Sequence, residues 1–488
     1  MLISFVALYL VVTVAIGLWA ARRVGSTKDY VVAGRSLPLY MSTALVFATW
    51  FGAETVLGVS ATFLKEGMGG IVADPFGFSF CLVIVALFFA RAFYRLNLLT
   101  IGDFYRRRYN KPVEIATSLC IVLSYLGWTS AQFTALGLVF HTLSGGAITL
   151  EWGIVLGAGV VMAYTLFGGM WSIAYTDLFQ SAIIIAGLLY LAWLLGGAAG
   201  GFETVVMHAA AADKFVFWPK LEVREVFAFV AAFLTAALGS IPQQDVFQRV
   251  TAAKDADTAV RGALLGAFIY FCMAFVPIYL AYTALLIDPK MVAPLLGGEG
   301  NENQLILPYL IANHTPVFAQ VVFFGALLSA IMSSASGALL APTTLFTENV
   351  LRHLLPNMSD RLLLMTMRLV LLVFGFAVMA FALASESSIY QMVQNAYKVT
   401  LVSAFAPLVL GLYWKRSTTP GAVVGVVLGM GTWALMEVSA PDALVPPQLV
   451  GLGFSFAGRV IGSLFTREAP PRHPHPHPHP AGHAGRRH

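Results

Sequence analysis

Phe47-Ala48-Thr49-Trp50-Phe51-Gly52-Ala53-Glu54 lies in the middle of an apolar segment running from about Pro38 to Leu64. A segment of that length can cross a bilayer, for which about 20 apolar residues suffice. A glycine and a carboxylate near its centre are costly in lipid. They are tolerated where the backbone is buried in protein or lines a wet cavity. The stretch therefore predicts an interrupted membrane helix and marks where a small solute or ion would sit.

The rest of the chain agrees. Its 488 residues are 58% hydrophobic and 11% charged, with mean hydropathy +0.79. A soluble domain carries about 25% charged residues. The composition predicts an all-α polytopic membrane protein, and the net charge of +5 calls for no nucleic-acid partner. About thirteen apolar segments can be marked, near 2–20, 38–64, 71–93, 113–141, 152–169, 172–197, 223–247, 262–287, 317–350, 362–385, 388–414, 420–438 and 447–465. Cys81, Cys120 and Cys272 lie inside such runs and read as packing rather than a disulfide frame. The first segment has no basic region ahead of it and reads as a retained helix.

Basic residues alternate along the connections. Arg22, Arg23, Lys28 and Arg35 follow the first segment, and Arg91, Arg95, Arg106, Arg107, Arg108 and Lys111 follow the third. Arg249, Lys254 and Arg261 follow the seventh, Arg352 and Arg361 the ninth, and Lys415 and Arg416 the eleventh. The positive-inside rule then places the N-terminus outside and the C-terminus in the cytoplasm of an inner membrane. Lys214 and Lys220 in the 198–222 loop run against that pattern. The run Arg106-Arg107-Arg108 reads most simply as a topology anchor.

A second interruption falls at Gly239-Ser240-Ile241-Pro242-Gln243-Gln244-Asp245. Proline lacks an amide hydrogen and disrupts a helix interior. Each interrupted segment opens a set of five, over 38–197 and 223–414. Paired broken helices point to an inverted-repeat transporter with a midplane site. The remaining divisions are a leading helix and loop (1–37), an outer loop (198–222), two trailing helices (415–466) and a His/Pro-rich tail (467–488). The tail reads as a solvated extension, with metal binding by its histidines as the alternative.

The stretch Ala163-Tyr-Thr-Leu-Phe-Gly168-Gly169-Met-Trp-Ser-Ile-Ala-Tyr-Thr-Asp177-Leu-Phe-Gln180 resembles the signature of the sodium/solute symporter family. So do Leu328-Ser-Ala330-Ile-Met-Ser333-Ser334-Ala-Ser-Gly337 and Asp103 in Thr100-Ile-Gly-Asp-Phe-Tyr. Ala48-Thr49-Trp50 and Gly239–Arg249 are most similar to the choline-transporting branch. The resemblance covers nearly the whole chain. It implies a LeuT-type core of ten helices in two inverted sets of five, and secondary transport coupled to sodium, with no other cofactor.

Carried over, the resemblance implies sodium ligands at the backbone carbonyls of Ala48, Phe51 and Ala330 and the hydroxyls of Ser333 and Ser334. Oxygen donors suit this hard cation, and a broken helix frees carbonyls that an intact one would consume. Without the resemblance, the small residues at 330, 333 and 334 read first as close helix packing. Asp177 is implied at the inward exit of the ion. Trp50 and Trp128 match two members of the branch's aromatic cage, and an aromatic face attracts a quaternary ammonium by about 0.5–2 kcal/mol. The chain departs from that cage at Gln243, where the branch has another tryptophan, and near 393–398.

Glu54 and Lys398 are unusual charges within apolar spans. They read as a clamp for a zwitterion, or as charges paired with each other or with Asp245. Gln132, Gln243 and Gln244 can hydrogen-bond a polar solute. The expectation is a sodium-coupled importer of a small polar organic solute: an amino acid, a betaine or choline-like amine, or a monocarboxylate. The alternative is a transporter-like sensor working with a separate signalling partner. No nucleophile triad, zinc motif or phosphate loop appears, so an enzyme is not expected. A homodimer is left open.

Overall fold

The computed structural model describes residues 2–298, 302–385 and 389–466. The expected His/Pro-rich tail at 467–488 lies outside them. The described chain is almost entirely helical, and its one pairing of extended backbone is a bridge between Leu37 and Ala253. Among the described residues, eight helices are long and apolar enough to cross a membrane, and two bent pairs raise that to ten. The other expected spans fall on the broken segment from Leu39 to Glu66, on the second half of Leu150–Ala198, and on Pro447–Leu464.

Leu150–Ala198 shows how one helix becomes two crossings. A straight helix of its 49 residues, at about 1.5 Å each, would be roughly 70 Å long, over twice a hydrocarbon core of about 30 Å. Gly169 (φ +51, ψ −132) turns it midway. Only glycine takes that conformation without strain, and a side chain there would run into Tyr30. The expected break between 169 and 172 is thus a kink rather than a loop.

Both predicted interruptions are present. The first segment is helical over Leu39–Ala48, opens through Thr49–Ala53, and resumes through a widened turn, Glu54–Gly58, into Val59–Glu66. The second is Val223–Gly239 followed by Gln244–Thr251, bent by 46° across the Pro242 stretch. A third bend, of 44°, divides Ile389–Ser403 from Phe405–Tyr413. The sequence reading runs a single span through it and passes over Pro407, which cannot donate to the Ser403 carbonyl four residues back.

Packing crosses between the two sets. Lys111–Leu143 lies against Ile389–Ser403 and Val317–Phe346, and Leu150–Ala198 also packs on Val317–Phe346. Ala256–Ile287 packs on Leu39–Ala48. The leading helix Leu2–Ala20 lies on Leu150–Ala198, outside that core, and the trailing pair Thr419–Ser439 and Pro447–Leu464 pack on each other. Trp50, Trp128 and Arg249 are among the largest fully buried side chains, so the centre of the molecule is built around the two broken segments.

Candidate functional site: the broken helices and what faces them

The first break rests directly on Val317–Phe346. Ser334 Oγ donates to the Ala48 carbonyl at 3.3 Å, and Ser333 Oγ donates to the Ala330 carbonyl at 3.0 Å. The first of these bonds joins two of the five oxygens assigned to sodium across the two helices, and the second joins two more within Val317–Phe346. All five residues, Phe51 included, are buried. Gly52 makes the approach feasible: a Cβ there would come within 2.6 Å of Ser334 Oγ and 2.7 Å of Gln132 Oε1. Gln132 Oε1 in turn accepts from the Ala53 amide at 3.0 Å, satisfying a donor that the break frees. This cluster of hydroxyl and carbonyl oxygens fits a hard monovalent cation.

Beside this cluster lies an ion pair absent from the sequence reading. Arg249 Nη1 donates to Asp177 Oδ2 at 2.6 Å and to the Leu45 carbonyl at 2.7 Å, and Nη2 donates to the Ser333 carbonyl at 3.1 Å. Arg249 is 1% exposed. It is therefore no loop charge following the seventh span, as the alternation of basic residues suggests. It projects from Gln244–Thr251, after the second break, back into the core. Gly337 clears its path, since a Cβ there would crowd the guanidinium carbon at 3.1 Å. Asp177 keeps one oxygen, Oδ1, with no hydrogen-bond partner.

On the other side of the break, Trp50 stacks on Phe78 (4.9 Å), Phe78 meets Tyr397 edge-on (5.3 Å), and Tyr397 lies 6.0 Å from Trp128. Four aromatic rings from four segments thus form one buried wall. Both indole N–H groups, and the Gln132 Nε2 amide, are buried without a hydrogen-bond partner. Gln243 ties the second break to the same region: its Nε2 donates to Thr400 Oγ1 at 3.0 Å, and Ser124 Oγ donates to its Oε1 at 3.4 Å. Tyr397 falls in the 393–398 stretch where the sequence departs from the cage, and neither it nor Phe78 is singled out by the sequence reading.

Glu54 and Lys398 do not meet. Gln394 Nε2 donates to Glu54 Oε1 at 3.3 Å, whereas Lys398 pairs with Glu437 at 3.6 Å. The readings in which the two charges pair with each other, or with Asp245, are thereby corrected. The Asp245 amide donates to the Tyr125 hydroxyl at 2.8 Å. Lys398 instead joins Thr62, Glu66, Tyr390 and Gln394 in lining a polar cavity of about 470 Å³.

At the opposite, basic end, polar side chains close the space between the two sets. Asn349 Nδ2 donates to Asp103 (2.9 Å) and Glu114 (2.8 Å), and its Oδ1 accepts from Thr100 Oγ1 (2.5 Å). Arg106 lies 3.3 Å from Asp103 and 3.4 Å from Glu114, and His353 lies 2.5 Å from Glu114. Arg107 donates to the Leu96 carbonyl, and Arg108 to the Gly411 and Ser417 carbonyls. The triple-arginine run is therefore a set of specific tethers, beyond the topology anchor read from sequence.

Comparison with known proteins agrees with this geometry. The pattern of the sodium:solute symporter family matches residues 30–429. The chain is 28% identical over 450 residues to the human high affinity choline transporter 1, covering 88% of this chain and 75% of that one. It is 26% identical over 456 residues to a sodium/glucose cotransporter of Vibrio parahaemolyticus, covering 86% and 82%. Among solved structures, a Na+-coupled sialic acid symporter superposes with a TM-score of 0.79 at 19% identity, over 96% of this chain and 99% of that one. A nucleobase-cation-symport-1 family transporter superposes with a TM-score of 0.60 at 14% identity, over 92% and 98%. The fold they share with this chain is the LeuT type that the family resemblance implies.

Proposed function

The chain belongs to the sodium:solute symporter family, and from that premise we propose that this multi-pass membrane protein imports a small organic solute bearing an ammonium group, such as an amino acid, betaine or choline-like amine. The observation that carries the reading is the aromatic wall of Trp50, Phe78, Tyr397 and Trp128 beside the first break. Ring faces attract an ammonium, while the two free indole N–H groups offer donors to a carboxylate or hydroxyl on the same molecule. Gln132 and Gln243 supply further hydrogen bonds at the rim of that wall.

Coupling follows from where the ion sits. Sodium is held by the carbonyls of Ala48, Phe51 and Ala330 and the hydroxyls of Ser333 and Ser334. Two of those residues flank Trp50, so ion binding fixes the backbone that carries a solute contact. Each sodium entering down 100 mV contributes about 2.3 kcal/mol to accumulation. Arg249 and Asp177 stand on the inward side of the ion. Asp177 receives the departing sodium when Arg249 moves off it, so the pair is a barrier that opens late in the cycle. The cavity at Lys398 and Gln394 is the outer vestibule. With the basic end placed in the cytoplasm, the Asn349 network seals the inner side.

A thermal-shift screen of amino acids, betaines, amines and monocarboxylates on the purified protein, with sodium or potassium, tests this reading. A compound that stabilises only with sodium, and carries an ammonium, is the expected hit. A sodium-dependent hit confined to monocarboxylates would move the assignment to anions, and hits indifferent to sodium would sink the coupling.

A further inference from the structure

Glu54 and Asp74 are the acids for which neither sodium nor solute accounts. They come from different irregular segments. Glu54 opens the widened turn Glu54–Gly58, and Asp74 is where Val72–Gly77 leaves helical geometry (φ −138, ψ 122). Both are 0% exposed. One oxygen of each has a donor: Gln394 Nε2 for Glu54 Oε1 at 3.3 Å, and the Tyr270 hydroxyl for Asp74 Oδ1. The other oxygens, Glu54 Oε2 and Asp74 Oδ2, have none. The two carboxyl groups lie within hydrogen-bonding reach of one another.

Among the described residues, no base neutralises them. Facing the pair are Tyr270 from Ala256–Ile287, and Tyr390, Gln394 and Tyr397 from Ile389–Ser403. Glu302–Leu305 contributes the exposed Glu302 and buried Gln304; Val59–Glu66 ends in Lys65 and Glu66 at the cavity rim. Phe78–Ile84 contributes Cys81, and the charges of Val223–Gly239, Arg224 and Glu225, are exposed at its far end. Lys398 is committed to Glu437. Among the described residues, neither acid forms a salt bridge.

Two carboxylates this close in a buried site cannot both remain ionised; the usual resolution is that they share a proton. Where two oxygens stand one hydrogen bond apart, a single hydrogen satisfies both. A metal ion can bridge oxygens at that spacing as well, so the response of the site to sodium separates the two. We propose that Glu54 and Asp74 form a proton-binding site that holds one proton between Glu54 Oε2 and Asp74 Oδ2. Uptake converts two carboxylates into one carboxylate and one carboxylic acid, with no electron transfer and no co-reactant. Gln394 touches Glu54 on one side and lines the 470 Å³ cavity on the other, so it marks the proton's route to solvent. The symport cycle of this chain then carries a proton step beside its sodium step. The site is independent of the solute's identity.

The test is infrared spectroscopy of the full-length protein in lipid at neutral pH, with the proton as the only ligand. The expected result is a deuteration-sensitive C=O stretch of a protonated carboxyl, lost in both Glu54→Gln and Asp74→Asn. In each variant the new amide donates an N–H where the proton lay. Tyr270→Phe, which removes only the outer donor to Asp74, should keep the band and shift it. If the amide variants fail to fold, the Tyr270→Phe shift and the wild-type response to sodium still decide. A wild-type spectrum without such a band, a band surviving both amide variants, or a band unmoved by Tyr270→Phe overturns the proposal. So does a band abolished when sodium replaces potassium, which would make the pair a metal site.

Discussion

Ser333 and Ser334 supply the only side-chain oxygens in the proposed sodium shell, and replacing them removes ligands without opening a large cavity. A ligand of this kind contributes on the order of 1–2 kcal/mol, or about tenfold in affinity each. Ser333→Ala/Ser334→Ala should therefore weaken sodium-dependent thermal stabilisation by roughly a hundredfold in midpoint, measured as a sodium titration against potassium. An unchanged midpoint would place the ion elsewhere. Arg249 makes a different prediction. Arg249→Met strands Asp177 as a buried, unpaired carboxylate, which costs about 3–5 kcal/mol. Adding Asp177→Asn should restore most of the lost thermal stability. A double variant no more stable than Arg249→Met would mean that the arginine acts through the Leu45 and Ser333 carbonyls instead. These residues also show what could be read in advance. Ser333, Ser334 and Asp177 are singled out in the sequence because their motifs resemble a family's. Arg249 was misplaced because a basic residue near the end of an apolar run looks like a topology signal whether it points into the loop or back into the core. Asp74 went unremarked although the signal was present, an acid inside the apolar run 71–93 in the same way that Glu54 lies inside 38–64.

At the scale of the element, the first broken segment works because it approaches Val317–Phe346 closely at Gly52. Gly52→Ala would place a methyl 2.6 Å from Ser334 Oγ and 2.7 Å from Gln132 Oε1, both on packed helices with little freedom to retreat. Overpacking of this kind costs about 1–3 kcal/mol. The displaced helix should also lose its sodium response, although no proposed ligand has been changed. Thermal unfolding with and without sodium separates the two effects: a variant that unfolds at the same temperature in both salts has lost its ion response, whereas one destabilised equally in both, with its full sodium shift kept, would show that the close approach serves packing alone. The sequence made this break visible through glycine and a charge, and the second through proline. The bend at Ala404 was passed over although Pro407 marks it, since that proline cannot donate to the Ser403 carbonyl four residues back; the widened turn at Glu54–Gly58 has no proline to announce it.

For the whole molecule, the question is how two sets of five helices exchange access between sides. One end holds the 470 Å³ cavity, and the other is closed by Asn349 bridging Thr100, Asp103 and Glu114. Asn349 lies at the end of Val317–Phe346 and its continuation, in the second set, whereas its three partners belong to the first. The network is therefore a latch between the sets and not a brace within one. Removing it with Asn349→Ala deletes three hydrogen bonds and leaves two acids facing each other beside Arg106. A loss of about 1–3 kcal/mol confined to the closed state would raise the proportion of molecules open at that end by roughly 5–150-fold. Two cysteine reporters in a background lacking Cys81, Cys120 and Cys272 measure this directly. Thr251→Cys, buried near the latch end, should react faster with a membrane-impermeant thiol reagent once Asn349 is gone. Asn395→Cys, in the wall of the opposite cavity, should react more slowly. The opposite signs are the substance of the prediction, because a shift between two discrete states must close one side as it opens the other. Faster reaction at both positions would mean that the latch merely holds the fold together, and that the two ends are not coupled through it.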